Sequence, residues 1–250
     1  MAKPGAKSSP NLIIAKGERG LIVGQTGSGK TGFACWLLAR IPQGPILIYD
    51  TKEEPKFQAL PSSIVVSDFD HAAEIIAGGE HDFIIFRPPV ELIGNPTELD
   101  DLLWRHYNEL RHVDCYIDEC YTFHNNGRAG KGLIALLTRG RSRGITTIIS
   151  TQRPAYLSRF CITEAQKLYV LRLVDKADKK RLGDVIPDFA ELSDPPKFGF
   201  WFYETGNDKP VKYLPVKLDA DLSTGYTDAV DSVTDGDPVQ EEIAPRHVWI

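Results

Sequence analysis

Short apolar runs recur along this chain and mostly alternate with stretches whose apolar residues return every three or four positions. The runs at 21–23, 46–49, 64–66, 83–86, 115–117, 146–150 and 168–173 read as strands, being rich in Ile, Val, Leu, Phe and Tyr and bounded by glycine, proline or polar clusters. Between them, residues 31–40 read as a helix with Phe33, Trp36 and Leu37 on one side. Ser67 is the expected cap of a helix running through Ile76, with Asp70 three residues on as in a capping box; Thr97 is the expected cap of another to about Arg111, with Asp100 in the same relation. Residues 132–143 and 175–183 complete the helical set, the last capped by Asp175. Gly206-Asn207-Asp208, between apolar stretches at 198–203 and 211–216, predicts a hairpin.

Strands alternating with helices predict an α/β domain with a mostly parallel sheet sandwiched by helices, with the hairpin at its C-terminal edge. No internal repeat is visible. Residues 1–10 are broken by Pro4, Gly5, Ser8, Ser9 and Pro10 and are expected to be a flexible N-terminus. The domain is expected to span 11–218, and 219–250, where apolar periodicity fades, to be a flexible acidic tail.

At 250 residues the chain is long enough to bury a sizeable core. No apolar run approaches the roughly 18–20 residues of a membrane-spanning helix, and no signal-peptide core follows the basic start, so a cytosolic chain without a membrane span is expected. The net charge of −5 is unevenly placed. Asp219, Asp221, Asp228, Asp231, Asp235, Asp237, Glu241 and Glu242 against Arg246 make the tail −7, leaving +2 on residues 1–218. A mildly basic body is compatible with contact to a phosphate backbone. Cys35, Cys115, Cys120 and Cys161 form no CxxC pair and read as reduced, buried thiols rather than zinc ligands.

The densest chemical signal is Gly24-Gln25-Thr26-Gly27-Ser28-Gly29-Lys30-Thr31, which fits G-x-x-x-x-G-K-[ST] at every fixed position, with a strand entering and a helix leaving. Such a loop turns successive backbone N–H groups inward around phosphate oxygens, and the helix N-terminus adds partial positive charge. Lys30 is expected on the β- and γ-phosphates of ATP and Thr31 on Mg²⁺. About ninety residues later, the strand at 115–117 ends in Asp118 and Glu119. Asp118 is placed to hold Mg²⁺ through water; Glu119 is expected to face the bulk side, where it can orient and deprotonate the attacking water.

Arg139, Arg141 and Arg143 lie among glycines before the strand that ends in Thr151-Gln152-Arg153-Pro154. Gln152 at a strand's carboxyl end sits where open α/β sheets bind ligand, and it can contact the γ-phosphate or the lytic water. The arginines read either as a finger inserted into a neighbour's ATP site or as a solvated basic helix end. An ABC-type ATPase is disfavoured by the lack of an LSGGQ-like signature. A GTPase-like switch is disfavoured because Asp118-Glu119-Cys120-Tyr121 stands where D-x-x-G is required.

In order, GQTGSGKT, YIDE, GRSRGI and STQRP resemble the motifs of the FtsK–HerA superfamily of hexameric DNA-pumping ATPases, and Asp50-Thr51-Lys52 resembles its D-x-K element. The similarity spans roughly residues 18–175. The resemblance implies a RecA-like P-loop NTPase that hydrolyses ATP with Mg²⁺ in a homohexameric ring around double-stranded DNA. It makes Arg141 the trans-acting finger and Gln152 the γ-phosphate sensor. With no membrane segment or added domain visible, the chain looks most like the genome-packaging ATPases of tailless, membrane-containing icosahedral viruses. That implies work in the host cytoplasm during assembly and at the packaging vertex of the virion, with a portal or vertex protein as a further partner. Motors of conjugation or filamentous-phage assembly share the motifs and are the alternative. The polar loop at 123–131 carries Arg128 and Lys131, which either grip DNA phosphates in a central pore or belong to an ordinary surface loop. Trp201 and Tyr203 read as packing residues rather than base-stacking platforms.

Overall fold

The apolar runs become strands because almost every residue in them is buried, on one face of a sheet or the other. The structure, a computed structural model, describes residues 11–41, 44–216 and 232–233. Strand β1 (Arg19–Val23) leads through a glycine loop into helix α1 (Lys30–Leu38), and β2 (Ile46–Tyr49) and β3 (Ser63–Val66) precede α2 (Phe69–Gly78). Then come β4 (Phe83–Phe86), a short α3 (Val90–Ile93), α4 (Pro96–Glu109) and β5 (Asp114–Ile117). A two-stranded ribbon, β6 (His124–Asn125) and β7 (Arg128–Ala129), precedes α5 (Lys131–Arg139). The second half runs β8 (Thr147–Thr151), α6 (Arg159–Thr163), β9 (Lys167–Val170), α7 (Lys176–Gly183), β10 (Phe200–Glu204) and β11 (Val211–Tyr213), with Ser232–Val233 as β12.

These strands form one sheet in the order β12-β11-β10-β9-β1-β8-β5-β2-β4-β3. From β9 to β3 every pairing is parallel; β10, β11 and β12 add an antiparallel edge. The predicted hairpin is therefore present, with Phe200 opposite Tyr213. Strand periodicity of two sorts the core into two layers. Leu21, Val23, Leu47, Tyr49, Ile84, Ile117, Ile149 and Trp201 face α2, α4, α5 and α7. Ile22, Ile48, Ile85, Tyr116, Ile148, Tyr169 and Phe202 face α1 and the 3₁₀ turn Pro55–Ala59. Covering on both faces explains why the strands read as continuous apolar runs. Trp201 and Tyr203 pack in the core as expected, and all four cysteines are buried free thiols.

Two helix caps fall elsewhere than expected. Asp68, not Ser67, caps α2 by accepting from the His71 amide at 2.8 Å. Asn95, not Thr97, caps α4 by accepting from the Glu98 amide, with Pro96 in the first turn. Asp100 is no capping-box partner. It is buried and accepts from the Gly132 and Leu133 amides at 2.8 and 2.9 Å, so a residue of α4 caps α5. Burial pushes its carboxyl pKa up against those two bonds. The helix expected over 132–143 ends as α5 at Arg139 and tightens into a 3₁₀ turn, Gly140–Arg143, closed by Gly144 at φ +69°. The predicted flexible segments 1–10 and 219–250 lie outside the described residues, apart from Ser232–Val233, which pairs with Lys212 and Tyr213. Among the described residues no helix is long and apolar enough to cross a membrane.

Helices α4 and α5 can approach closely only because Gly132 has no side chain; a Cβ there would collide with the Asp100 carbonyl oxygen and the Trp104 amide nitrogen. Gly132→Ala is expected to separate the helices, weaken the Asp100 cap and cost roughly 1–3 kcal/mol, read as a lower denaturant midpoint.

Candidate active site

The carboxyl ends of β1, β8, β5 and β2 lie side by side, and each delivers part of one polar cluster. From β1 the glycine loop turns into α1 through Gly29 in the left-handed region at φ +94°, where a Cβ would press on the Phe198 ring at 2.8 Å. Gly29 offers no side-chain cap, and α1 has no acid in its first turn, so the first-turn amides stay available to an anion. The Ser28 hydroxyl is buried without a hydrogen-bond partner. Each feature fits a phosphate group held by the loop.

Lys30 is 6% exposed. Its Nζ lies 3.0 Å from Glu119 Oε1, 3.3 Å from Asp118 Oδ1 and 3.4 Å from Ser150 Oγ. Burial pulls the Lys30 pKa down, but the Asp118 and Glu119 carboxylates outweigh it, and the net direction is up. The ammonium therefore stays charged. Asp118 Oδ1 also accepts from Ser150 Oγ at 2.6 Å and from the Tyr116 hydroxyl at 3.1 Å. Thr31 opens α1 beside Lys30, so the chain holds a hydroxyl and a carboxylate suited to a hard divalent cation.

Glu119 departs from expectation. It does not face the bulk but is fully buried. The backbone enters the left-handed region there, at φ 48° and ψ 56°, and its carboxylate lies against Lys30 and Lys52, 3.2 Å from the latter's Nζ. Its Oε2 accepts from the Gln152 amide at 3.1 Å, and Gln152 Oε1 accepts from Thr26 Oγ1 at 2.7 Å. Gln152 thus links the glycine loop to Glu119.

No family model matches the chain. It is 30% identical over 216 residues to the DNA packaging ATPase P9 of Enterobacteria phage PRD1, covering 80% of this chain and 87% of that protein. The chain belongs to the P9 family of packaging ATPases. The fold agrees. The genome packaging NTPase B204 of Sulfolobus turreted icosahedral virus 2, solved with AMP, superposes with a TM-score of 0.64 at 14% identity, covering 80% of this chain and 98% of that one. VirB4 of Thermoanaerobacter pseudethanolicus superposes at 0.54 and 9% identity, covering 80% and 90%. The predicted α/β P-loop fold and the likeness to viral genome-packaging ATPases agree with these findings.

Other predicted residues of this packaging ATPase lie away from the cluster. Arg141 is exposed in the 3₁₀ turn before β8, beside Gly17 ahead of β1. It sits at the amino ends of strands whose carboxyl ends carry the loop, so β1, five residues at ~3.3 Å each, stands between them. Arg143 donates to the Asn108 carbonyl at 3.1 Å and lies over the Tyr107 ring. Arg128 is exposed on the small ribbon, while Lys131 pairs with Asp101 at 2.9 Å and stands over Trp104. Lys52, Ser150 and Tyr116 join the cluster without having been named as site residues. Each lies inside a motif of the superfamily resemblance, Lys52 in D-x-K, Tyr116 in YIDE and Ser150 in STQRP, but none was assigned a role.

Lys30→Ala is expected to abolish nucleotide binding by calorimetry. It also leaves two buried carboxylates with less positive charge, so the nucleotide-free protein is expected to lose on the order of 2 kcal/mol. That is below the ~3–5 typical of a broken buried pair, because Lys52 remains.

Proposed function

We propose that the chain is an ATP-driven double-stranded DNA translocase that packages a viral genome into a preformed capsid. The observation that carries this reading is the convergence of the phosphate loop, Asp118, Glu119 and Gln152 at one sheet edge in a member of the P9 family. Residues 24–31 hold the phosphates of ATP, and Thr31 and Asp118 hold Mg²⁺, which neutralises phosphate charge when bound. Glu119 orients the lytic water and accepts its proton, and Gln152 reads the γ-phosphate and passes its loss to the Glu119 turn. Nucleotide bound to B204 supports the loop assignment through the shared fold. The work takes place in the host cytoplasm during assembly and at the packaging vertex, where a portal or vertex protein meets the ring. Arg128 contacts DNA phosphates; Lys131, already paired with Asp101, is the weaker candidate.

Glu119→Gln is expected to bind ATP normally and lose roughly 10²–10⁴ in turnover. Near-normal turnover would remove Glu119 from the mechanism.

Arg141 serves a neighbour's ATP, since a strand's length separates it from its own loop. Arg141→Ala has an intact loop and no finger; Lys30→Ala has the reverse. Mixed rings, verified by native mass spectrometry, are expected to recover part of the DNA-stimulated ATPase activity. No recovery sinks the assignment to a trans-acting finger in a homo-oligomeric ring, six copies being the expected number.

A further inference from the structure

The loop after β2 takes part in none of the steps above, yet it is tightly built. Asp50 directly follows β2 and is 1% exposed. Its Oδ1 accepts from the backbone amides of Lys52 and Glu54 at 3.3 and 3.0 Å, and its Oδ2 pairs with Arg87 Nε at 3.0 Å. Arg87 follows β4, the next strand of the sheet, and donates a further bond to the Glu54 carbonyl at 3.3 Å. These four bonds hold the loop in one shape, and that shape delivers Lys52 Nζ to 3.2 Å from Glu119 Oε1.

The pairing differs from an ordinary surface ion pair. Such pairs contribute little because both partners are hydrated. Here the Lys52 side chain is 41% exposed, but Glu119 has no exposure at all. The same Glu119 oxygen is shared with Lys30. Bound phosphates compete for Lys30, as they do in any loop of this type. Glu119 would then keep one backbone amide on Oε2 and, on Oε1, only Lys52. A buried carboxylate stripped of its cation is costly, and the turn carrying Glu119 would be driven to move.

We infer that Lys52 is a positioning residue: it holds the Glu119 carboxylate in place when nucleotide draws Lys30 away, and Asp50 and Arg87 fix Lys52 for that task. The inference rests on the reading of Glu119 as the base.

The test uses the full chain, with ATP turnover, calorimetry of a non-hydrolysable ATP analogue and thermal melting. Lys52→Met is expected to lower kcat by roughly 10- to 100-fold, the scale of a misplaced reacting group. KM and analogue affinity should stay within about threefold, since the phosphate contacts are untouched. Lys52→Arg should restore most of the turnover, and Lys52→Gln, a second charge-free variant, should show the same split should Lys52→Met melt early. In a Glu119→Gln background, Lys52→Met should cost less than about twofold more, because two residues acting as one unit are not additive. Lost analogue affinity with unchanged kcat, a fully additive loss in that background, or a rise in turnover overturns the inference. Normal turnover of both charge-free variants beside an impaired Glu119→Gln overturns Lys52 alone; normal turnover of Glu119→Gln shows that the base reading itself has failed.

Discussion

Two buried carboxylates share one buried ammonium, and much of the surrounding architecture answers that imbalance. Asp118 is 3% exposed, Glu119 not at all, and Lys30 lies within 3.3 Å of both. One cation cannot satisfy two anions in a poorly hydrated place. The remainder is made up by the Ser150 and Tyr116 hydroxyls on Asp118, the Gln152 amide on Glu119, and Lys52 reaching in from the next strand. The helpers come from the carboxyl end of β8 (Ser150 and Gln152), β5 (Tyr116) and the turn after β2 (Lys52), so the cluster forms only when β1, β8, β5 and β2 are in register. In this sense the site is assembled by the sheet rather than by any local motif.

The sheet order makes this assembly possible. β8 is inserted between β1 and β5, although it follows both in the chain. Ser150 and Gln152 therefore stand between the phosphate loop and the acid pair, touching both sides. Parallel strands gather every carboxyl end at one edge, where open α/β sheets bind their ligands. By the same rule they send every amino end to the opposite edge. The turn that feeds β8 from its amino end carries Arg141, and the residue that leaves its carboxyl end is Gln152. A single strand thus connects the group proposed to read the chain's own nucleotide to the one proposed for a neighbour's.

The sequence made the phosphate loop, the acid pair and the edge hairpin readable because each signal is local: glycine spacing, a strand ending in acids, a turn between apolar runs. The misses have physical reasons. Ser67 and Asp68 are both competent caps, and only the backbone geometry at Asp68 decides between them. Pro96 in the first turn of α4 could have moved the cap from Thr97 to Asn95. Asp100 satisfies amides thirty-two and thirty-three positions away, which no capping pattern along one helix can reveal. The direction of Glu119 depends on one left-handed residue, a conformation that a glutamate seldom adopts and that sequence does not announce. The partner of Lys52 follows from the pairing of β2 with β5, a neighbour relation set by topology.

The arginine cluster shows how far each kind of reasoning reaches. Charge alone leaves Arg139, Arg141 and Arg143 equivalent. The structure removes Arg143, which is spent on the Asn108 carbonyl and the Tyr107 ring of α4. Arg139 and Arg141 are both exposed, so the choice of Arg141 still rests on the superfamily resemblance. Position then constrains how the chosen residue can act. A guanidinium at the amino edge of the sheet cannot serve a phosphate at the carboxyl edge of the same subunit, with β1 standing between them. With Arg141 as the finger, each subunit lends an arginine to one neighbour and borrows one from another. Repeated head to tail, that contact joins unlike faces of identical chains, and such heterologous contacts end either in an open filament or in a closed ring. Only the ring gives every phosphate loop its arginine, so completing the chemistry and closing the assembly become one requirement.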